Sequence, residues 1–333
     1  MAASFARRVC ACAGVLCALA ALAIGAAGGA RAQNAVWRVP DMRALPDDAH
    51  GRLVRLGREI VTQTPALIGP GAPDPAQRFA GNNLACADCH LEAGTKKFGL
   101  PLFGLIADFP AYSERRGVEI SLPQRIDSCL TRSLNGRAAP ADSPAIAALV
   151  AYLDFLSSGM TPGEQLAGHG SGAIPELDRA ADPKRGEPIY ATICAACHRA
   201  DGAGVPRDPG ALSLGYAVPP LWGADSFNDG AGMARLITMA NFAHSNMPGG
   251  ADYLNPKLSV EEAWDVAAFV ESQQRPQKPG LDHDFPDLIE KPIDAPYGPY
   301  ADGFSAEQHK YGPFAPIRAE IARLKAERGA NAQ

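Results

Sequence analysis

The sequence predicts an all-α protein composed of two small helical domains in tandem. Three observations predict this fold: the pentapeptide Cys-x-x-Cys-His occurs twice, similar segments flank both copies, and each half closes with an amphipathic segment. Self-similarity along a chain indicates duplicated structural units. The apolar residues of both closing segments recur at helical spacing, which predicts a helix at the end of each unit.

The amino terminus has the pattern of an export signal. Two arginines precede an apolar run that ends in Ala30-Arg31-Ala32. This pattern predicts a signal peptide over residues 1–32, cleaved after Ala32. Retention of the segment as a membrane anchor is the alternative. We therefore expect a periplasmic protein with no stable membrane anchor.

The charge of the chain limits its partners. The formal net charge is −5, and loss of the predicted signal, which holds three arginines and no acidic residue, leaves −8. An acidic exported protein is a poor ligand for nucleic acid, so we expect no nucleic-acid partner. An anionic substrate would need a local cluster of basic side chains.

The two pentapeptides predict cofactors. They are Cys86-Ala-Asp-Cys89-His90 and Cys194-Ala-Ala-Cys197-His198. Cys-x-x-Cys-His is the attachment motif of c-type haem, in which both thiols bond to the haem and the histidine binds its iron. One copy could be accidental or a redox-active cysteine pair. Two copies in an exported chain predict two covalently bound haem c groups, with His90 and His198 as iron ligands.

The flanking repeats define the domain boundaries. Gly57-Arg-Glu-Ile-Val matches Gly186-Glu-Pro-Ile-Tyr, and Pro101-Leu-Phe-Gly104 matches Pro220-Leu-Trp-Gly223. The closing helices are predicted at 143–158 and 259–274, each beginning at a serine cap. We therefore predict cytochrome c domains over 33–161 and 185–275. A linker rich in Gly, Pro and Asp covers 162–184, and 276–333 form an extended tail with a helix near 315–328.

Met247 is the predicted second iron ligand of the haem in the second domain, which we call haem 2. It lies 24 residues after Gly223 and 22 before Phe269, within the loop MANFAHSNMPGG. Met239 and His244 are the alternatives. We expect Met239 to be a core side chain and His244 a surface side chain.

The same spacing in the first domain falls on Cys129. It lies 25 residues after Gly104 and 23 before Tyr152, and no methionine occurs between Met42 and Met160. The spacing predicts a cysteine thiolate on the iron of the haem in the first domain, haem 1. A buried thiol or an intermolecular disulfide are the alternatives. Water as the ligand also remains open.

Thiolate ligation has a consequence for electron flow. A thiolate stabilises ferric iron and lowers the potential, whereas methionine with histidine raises it. Haem 1 is therefore predicted to be the low-potential centre, with electrons running from haem 1 to haem 2. This order suits a protein that oxidises a substrate at haem 1.

The segment around Cys129 suggests what that substrate is. Its polar members are Arg125, Arg132, Ser133, Asn135 and Arg137. On a helix, Arg125, Cys129, Arg132 and Ser133 share one face. Guanidinium groups bind oxyanions through paired hydrogen bonds, although one could instead pair with a haem propionate. An oxyanion containing sulfur would suit both the arginines and the cysteine.

The chain resembles the dihaem cytochrome c thiosulfate dehydrogenases, which also act in reverse as tetrathionate reductases. The resemblance covers most of the chain after the signal. It includes CADCH with the later RIDSCLTRSLNGR, CAACH with HSNMPGG, and the Pro- and Tyr-rich stretch 275–318. Some relatives have a lysine just before the methionine of haem 2 that competes for iron. Here that position is Asn246, so no lysine switch is expected.

The resemblance implies a function and roles for residues. Cys129 would ligate haem 1 and form a sulfur–sulfur intermediate with thiosulfate. Arg125 and Ser133 match the pattern around it, and Arg132 and Arg137 match more loosely. The implied reaction joins two thiosulfates into tetrathionate, and the electrons leave to a separate acceptor protein such as a small cytochrome c. An electron-transfer cytochrome without its own substrate, and a sulfur-oxidation cytochrome that conjugates thiosulfate to a carrier protein, are the alternatives.

Overall fold

The computed structural model of the protein describes residues 37–158 and 167–331. The predicted signal peptide and the first part of the predicted linker lie outside these residues. None of the helices within these two ranges has both the length and the apolar composition that a membrane span requires.

The first half of the chain is helical with one small hairpin. Its helices are α1 (Ala49–Thr62), α2 (Thr64–Ile68), α3 (Leu91–Gly94), α4 (Leu122–Arg132) and α5 (Pro144–Leu156). The antiparallel strands β1 (Ala111–Ser113) and β2 (Val118–Ile120) pair with Ala111 opposite Ile120. Short 3-10 helices cover Met42–Ala44, Pro75–Gln77, Cys86–Asp88 and Leu105–Asp108.

The second half repeats this order without a counterpart of α2. Its helices are α6 (Pro183–Ile189), α7 (Ala195–His198), α8 (Leu236–Asn246) and α9 (Val260–Ser272), with the π-helical turn Tyr190–Cys194 joining α6 to α7. Strands β3 (Val205–Pro206) and β4 (Tyr216–Val218) are antiparallel. The tail adds α10 (Ala306–Tyr311) and α11 (Ala315–Asn331). Short 3-10 helices cover Leu212–Leu214, Gly232–Ala234, Leu281–His283 and Leu288–Glu290.

Each half contains a helix crossing of the same kind, and this crossing explains why a glycine is repeated in the sequence. A Cβ atom on Gly57 would lie 2.0 Å from the carbonyl oxygen of Ala148, where α1 crosses α5. On Gly186 it would lie 1.9 Å from the carbonyl oxygen of Asp265, where α6 crosses α9. Only glycine permits backbones to approach this closely. The predicted all-α fold of two tandem units is confirmed, with only short strands beside the helices.

The closing helices begin where their caps predict. Ser143 accepts a hydrogen bond from the N–H of Ile146 at 3.4 Å, and Ser259 accepts one from Glu262 at 3.2 Å. Both bonds satisfy a backbone donor that the first helical turn leaves free. The helices end at Leu156 and Ser272, two residues short of the predicted ends in both cases.

The linker and tail are packed against the helical units. In the linker, the carbonyl of Pro175 accepts from the indole of Trp264 at 2.8 Å, and Ala181 is buried. Helix α6 begins at Pro183, two residues before the predicted start of the second domain. The helix predicted near 315–328 is α11, which holds Ile317 fully buried.

Candidate active site and haem pockets

The first haem pocket is an apolar cavity. Its polar and sulfur-bearing lining residues are Cys86, Cys89, His90, Arg125, Cys129 and Ser133. Apolar side chains supply the remaining wall, half of them from α1, α4 and α5 and half from the segments between these helices. The cavity therefore combines the first Cys-x-x-Cys-His motif with the residues predicted for catalysis.

The imidazole of His90 is oriented by the backbone. Its Nδ1 lies 2.5 Å from the carbonyl oxygen of Leu100, the residue before the Pro101-Leu-Phe-Gly104 repeat. A metal-binding histidine commonly donates its second ring N–H to such a carbonyl, which leaves Nε2 free to bind metal. Cys129 lines the same cavity, and the nearby imidazole of His90 helps to lower the pKa of the Cys129 thiol. A nitrogen and a sulfur donor therefore meet inside one cavity.

The second pocket is an apolar cavity built in the same way. Cys194, Cys197 and His198 line it. The Nδ1 atom of His198 lies 2.9 Å from the carbonyl oxygen of Pro219, again the residue before the repeated turn. Burial lowers the pKa of His198, which favours the neutral imidazole that metals bind. Both cavities offer two thiols, an oriented imidazole and apolar walls, a set that fits haem c.

Three methionines line the second pocket. Met233 and Met239 are buried at 8% and 6% exposure, and Met247 is half-buried at the carboxyl end of α8. Met239 is thus a core side chain as expected, whereas His244 is half-buried rather than at the surface. Met233 was not anticipated, because the spacing pointed only to the stretch MANFAHSNMPGG; its first eight residues belong to α8 rather than to the predicted loop, and only the stretch from Met247 onwards lies outside the helix. Met247 as the iron ligand stays a prediction.

Arg125 and Cys129 form the electrostatic centre of the first pocket. They stand one turn apart on α4, and Arg125 Nη1 lies 3.0 Å from Cys129 Sγ. Burial alone would raise the pKa of Cys129. The charge of Arg125 and the contacts with His90 outweigh burial and lower the pKa from 9.0 to about 6. Cys129 is therefore a thiolate at neutral pH, the form that acts as nucleophile and metal ligand.

The structure separates the other two arginines from this centre. Arg132 Nη2 bonds Asp284 Oδ1 at 2.7 Å, and its Nη1 bonds the carbonyl of Gly230 at 3.2 Å. Arg137 bonds the carbonyl of Ala76 at 2.6 Å. The prediction that Arg132 shares the face of Cys129 holds for its position on α4, but its guanidinium is used to anchor the tail. Ser133 does line the pocket.

Arg115, at the β1–β2 turn, is a residue that the sequence analysis missed. Its Nε lies 4.0 Å from Asp284 Oδ2, and its Nη1 bonds the carbonyl of Gly230 at 3.3 Å. Burial lowers the pKa of Arg115, and the like charges of Arg132 and Arg125 lower it further. One carboxylate therefore serves Arg115 and Arg132 together. No local motif marks Arg115, because its neighbours come from distant parts of the chain.

Residues from both domains hold the end of α4. The carbonyls of the last helical turn have no partner within a helix. Asn228 of the second domain donates its side-chain N–H to Thr131 at 3.1 Å and its backbone N–H to Arg132 at 3.2 Å. Asn82 donates to the Ser133 carbonyl at 3.0 Å. The second domain thereby fixes the helix that carries Cys129.

The two pockets share a wall. Leu84 and Cys89 line both cavities, although Cys89 belongs to the first attachment motif. One layer of side chains therefore separates the spaces that fit the two haems.

Comparison with known proteins identifies both halves of the chain. Residues 76–161 match the family described as SoxA/TsdA, cytochrome c domain, and residues 183–274 match the family described as cytochrome c. The chain thus contains two cytochrome c domains and two haem c groups.

Several similar proteins are thiosulfate dehydrogenases. The chain is 45% identical over 242 residues to thiosulfate dehydrogenase of Allochromatium vinosum, covering 72% of this chain and 84% of that protein. It is 39% identical to thiosulfate dehydrogenase of Stutzerimonas stutzeri, covering 76% of this chain and 77% of that protein. For thiosulfate dehydrogenase of Thiomonas intermedia the identity is 37%, covering 74% and 73%.

One solved structure is also similar. It is thiosulfate dehydrogenase (TsdBA) from Marichromatium purpuratum in the as-isolated form, with a TM-score of 0.65 and 32% identity. The match covers 76% of this chain and 51% of that chain, so the present chain spans about half its length.

Proposed function

Because the chain belongs to the thiosulfate dehydrogenase family of dihaem cytochromes c, we propose that it oxidises two thiosulfates to tetrathionate. The reaction takes place at haem 1, can run in either direction, and delivers electrons through haem 2 to a separate acceptor protein such as a small cytochrome c. We place the protein in the periplasm, where the predicted export signal would direct it.

The observation that carries this proposal is the Cys129 thiolate beside Arg125 in the first haem pocket. Its lowered pKa, of about 6, supplies a nucleophilic sulfur at neutral pH. The adjacent guanidinium supplies positive charge for an anion in an otherwise apolar cavity. A site of this kind fits a substrate with an oxidisable sulfur and a charged sulfonate end.

The chemistry proceeds in two balanced steps at Cys129. First, its sulfur bonds to the terminal sulfur of thiosulfate, giving Cys–S–S–SO₃⁻ with release of two electrons. Second, the terminal sulfur of another thiosulfate attacks the middle sulfur and displaces the Cys129 thiolate, giving tetrathionate. When bound, haem 1 and haem 2 would each accept one of these two electrons, and no other oxidant is needed for the first step. No proton moves in either step, so Cys129 must be ionised when thiosulfate binds and must leave again as the thiolate in the second step.

Arg125 and Ser133 orient the substrate in this proposal. Arg125 is close enough to Cys129 Sγ to bond the sulfonate of an attached thiosulfate, and it stabilises the thiolate as leaving group in the second step. Ser133 lines the same cavity near the end of α4 and offers a neutral donor. Substrate bound here has its sulfur against Cys129 and its oxygens toward these two side chains.

The proposed iron ligands are His90 and Cys129 for haem 1, and His198 and Met247 for haem 2. All four residues line the two cavities as this assignment requires. The shared wall of Leu84 and Cys89 supports rapid electron transfer between haems that lie close together.

Thiosulfate added to the purified, oxidised protein tests this proposal. We expect both haems to become reduced in the absence of any other protein, and tetrathionate to form. A pure electron carrier would stay oxidised under these conditions. An enzyme that conjugates thiosulfate to a carrier protein would give no tetrathionate and would require that carrier for turnover. The reverse assay, oxidation of the reduced protein by tetrathionate, reports the second direction.

A further inference from the structure

A short segment of the first domain contacts residues that serve both haems. In Phe98–Leu100, the bridging segment, the carbonyl of Leu100 accepts the Nδ1 hydrogen bond of His90 at 2.5 Å. Two residues earlier, the carbonyl of Phe98 accepts a hydrogen bond from Asn246 Nδ2 at 2.9 Å. Asn246 directly precedes Met247. One short stretch of backbone thus reaches the histidine of haem 1 and the ligand loop of haem 2.

The bridging segment has an unusual conformation that is held from outside. Phe98 and Leu100 have φ angles of +56° and +51°, in the left-handed region that residues other than glycine seldom adopt. Such backbone persists only where its surroundings fix it. The N–H groups of Phe98 and Leu100 donate to the carbonyls of Gly168 and Gly170 in the linker, at 2.6 and 3.0 Å.

The contact with the second domain is buried and specific. Asn246 is 3% exposed, and its Nδ2 also bonds the carbonyl of Phe242 at 3.1 Å. The ring of Tyr253, in the loop after Met247, packs edge-on against the ring of Phe98 with centroids 4.8 Å apart. The loop that carries Met247 is therefore attached to the bridging segment on both sides of the methionine.

We propose that the bridging segment couples the two haem sites, with Asn246 as the positioning residue that connects them. The proposal rests on the proposed ligands His90 and Met247. A firmly held hydrogen bond to the Leu100 carbonyl makes the imidazole of His90 a stronger iron ligand, which favours ferric iron and a low potential at haem 1. A firmly held loop keeps Met247 on the iron, which favours a high potential at haem 2. One set of contacts thereby widens the difference in potential that drives electrons from haem 1 to haem 2.

The test is Asn246→Ala in the purified dihaem protein, followed by redox titration of each haem without thiosulfate. We expect the reduction potential of haem 1 to rise and that of haem 2 to fall, so that the difference between the two potentials becomes smaller. We also expect the weak red absorption band of methionine-ligated ferric haem to decrease. Tyr253→Ala removes the partly exposed ring contact without disturbing the core, and should shift both potentials in the same directions by less.

Asn241→Ala is the matched control. Asn241 is a buried asparagine on the same helix, α8, but its Oδ1 accepts from the N–H of Ile174 in the linker at 3.0 Å. We expect both potentials to stay unchanged in this variant. A shift confined to haem 2 in Asn246→Ala, no shift at all, or an equal shift in Asn241→Ala would overturn the coupling. Absence of the methionine band in the unaltered protein would instead refute Met247 as ligand.

Discussion

In the pH–rate profile of thiosulfate oxidation, Arg125→Ala should move the acid limb, where the rate falls with falling pH, to higher pH. In the unaltered protein Cys129 is ionised above its pKa of about 6, so activity is lost as the pH falls through that value. The substitution removes the hydrogen bond from Nη1 to Sγ, at 3.0 Å, together with its charge. A hydrogen bond to a charged group contributes about 1.5–3 kcal/mol.

Loss of this energy should raise the pKa of Cys129 and lower the rate of thiosulfate oxidation. At about 1.4 kcal/mol for each tenfold change, the pKa of Cys129 should rise to roughly 7–8. The thiolate fraction at pH 7 should then fall from about nine-tenths to between about a half and a tenth. Weaker binding of the sulfonate should lower kcat/KM by a further factor of roughly 10 to 150, since the same energy applies to an anion contact.

The assay is the rate of thiosulfate-dependent haem reduction between pH 5 and 9, measured by stopped flow in the absence of acceptor. Arg125→Lys is the control, because it keeps the charge but loses the planar fork. Its acid limb should stay near that of the unaltered protein while KM rises. The difference between Arg125→Ala and the unaltered protein should shrink at high salt. An unchanged acid limb in Arg125→Ala would refute Arg125 as the group that ionises Cys129.

Three further outcomes are expected. Cys129→Met and Cys129→Gly should each keep two covalent haems and lose nearly all thiosulfate oxidation, because a thioether cannot form the mixed sulfur–sulfur bond; substantial activity in Cys129→Met would reduce Cys129 to a ligand that tunes potential. Redox titration should find haem 1 at the lower potential, and the opposite order would remove the basis for the proposed electron flow. Gly57→Ala should destabilise the protein by about 1–3 kcal/mol in urea unfolding, because its Cβ would lie 2.0 Å from the Ala148 carbonyl oxygen, whereas Gly303→Ala, with no atom within 4 Å, should not; equal stability of the two would contradict the close helix crossing.

The duplicated fold was predictable because its landmarks are either local or repeated. Gly57 and Gly186 lie at helix crossings that leave no room for a side chain. Each glycine precedes its Cys-x-x-Cys-His motif. Ser143 and Ser259 mark helix starts through a bond three residues away. The caps depend on neighbouring residues, and the crossings, although they join distant residues, could be recognised because the segment around each glycine is repeated.

The candidate site was predictable only in part. The one-turn spacing of Arg125 and Cys129 on α4 indicated that they would meet, and they do. The partner of Arg132, Asp284, lies in the tail, and nothing near α4 in the sequence marks that contact. Arg115 escaped attention for the same reason. Contacts between distant segments depend on how the tail and the hairpin pack, which periodicity and spacing do not encode.

A covalent adduct on Cys129 would test most directly whether its sulfur bonds to substrate. The oxidised protein is incubated with tetrathionate and no electron donor, so that the thiolate can displace one thiosulfate and retain Cys–S–S–SO₃⁻. Intact-mass measurement should then show the addition of one S₂O₃ group, which peptide mapping should place on Cys129 and which excess thiol should remove. An unmodified Cys129 peptide, in a preparation that oxidises thiosulfate normally, would contradict the proposed intermediate.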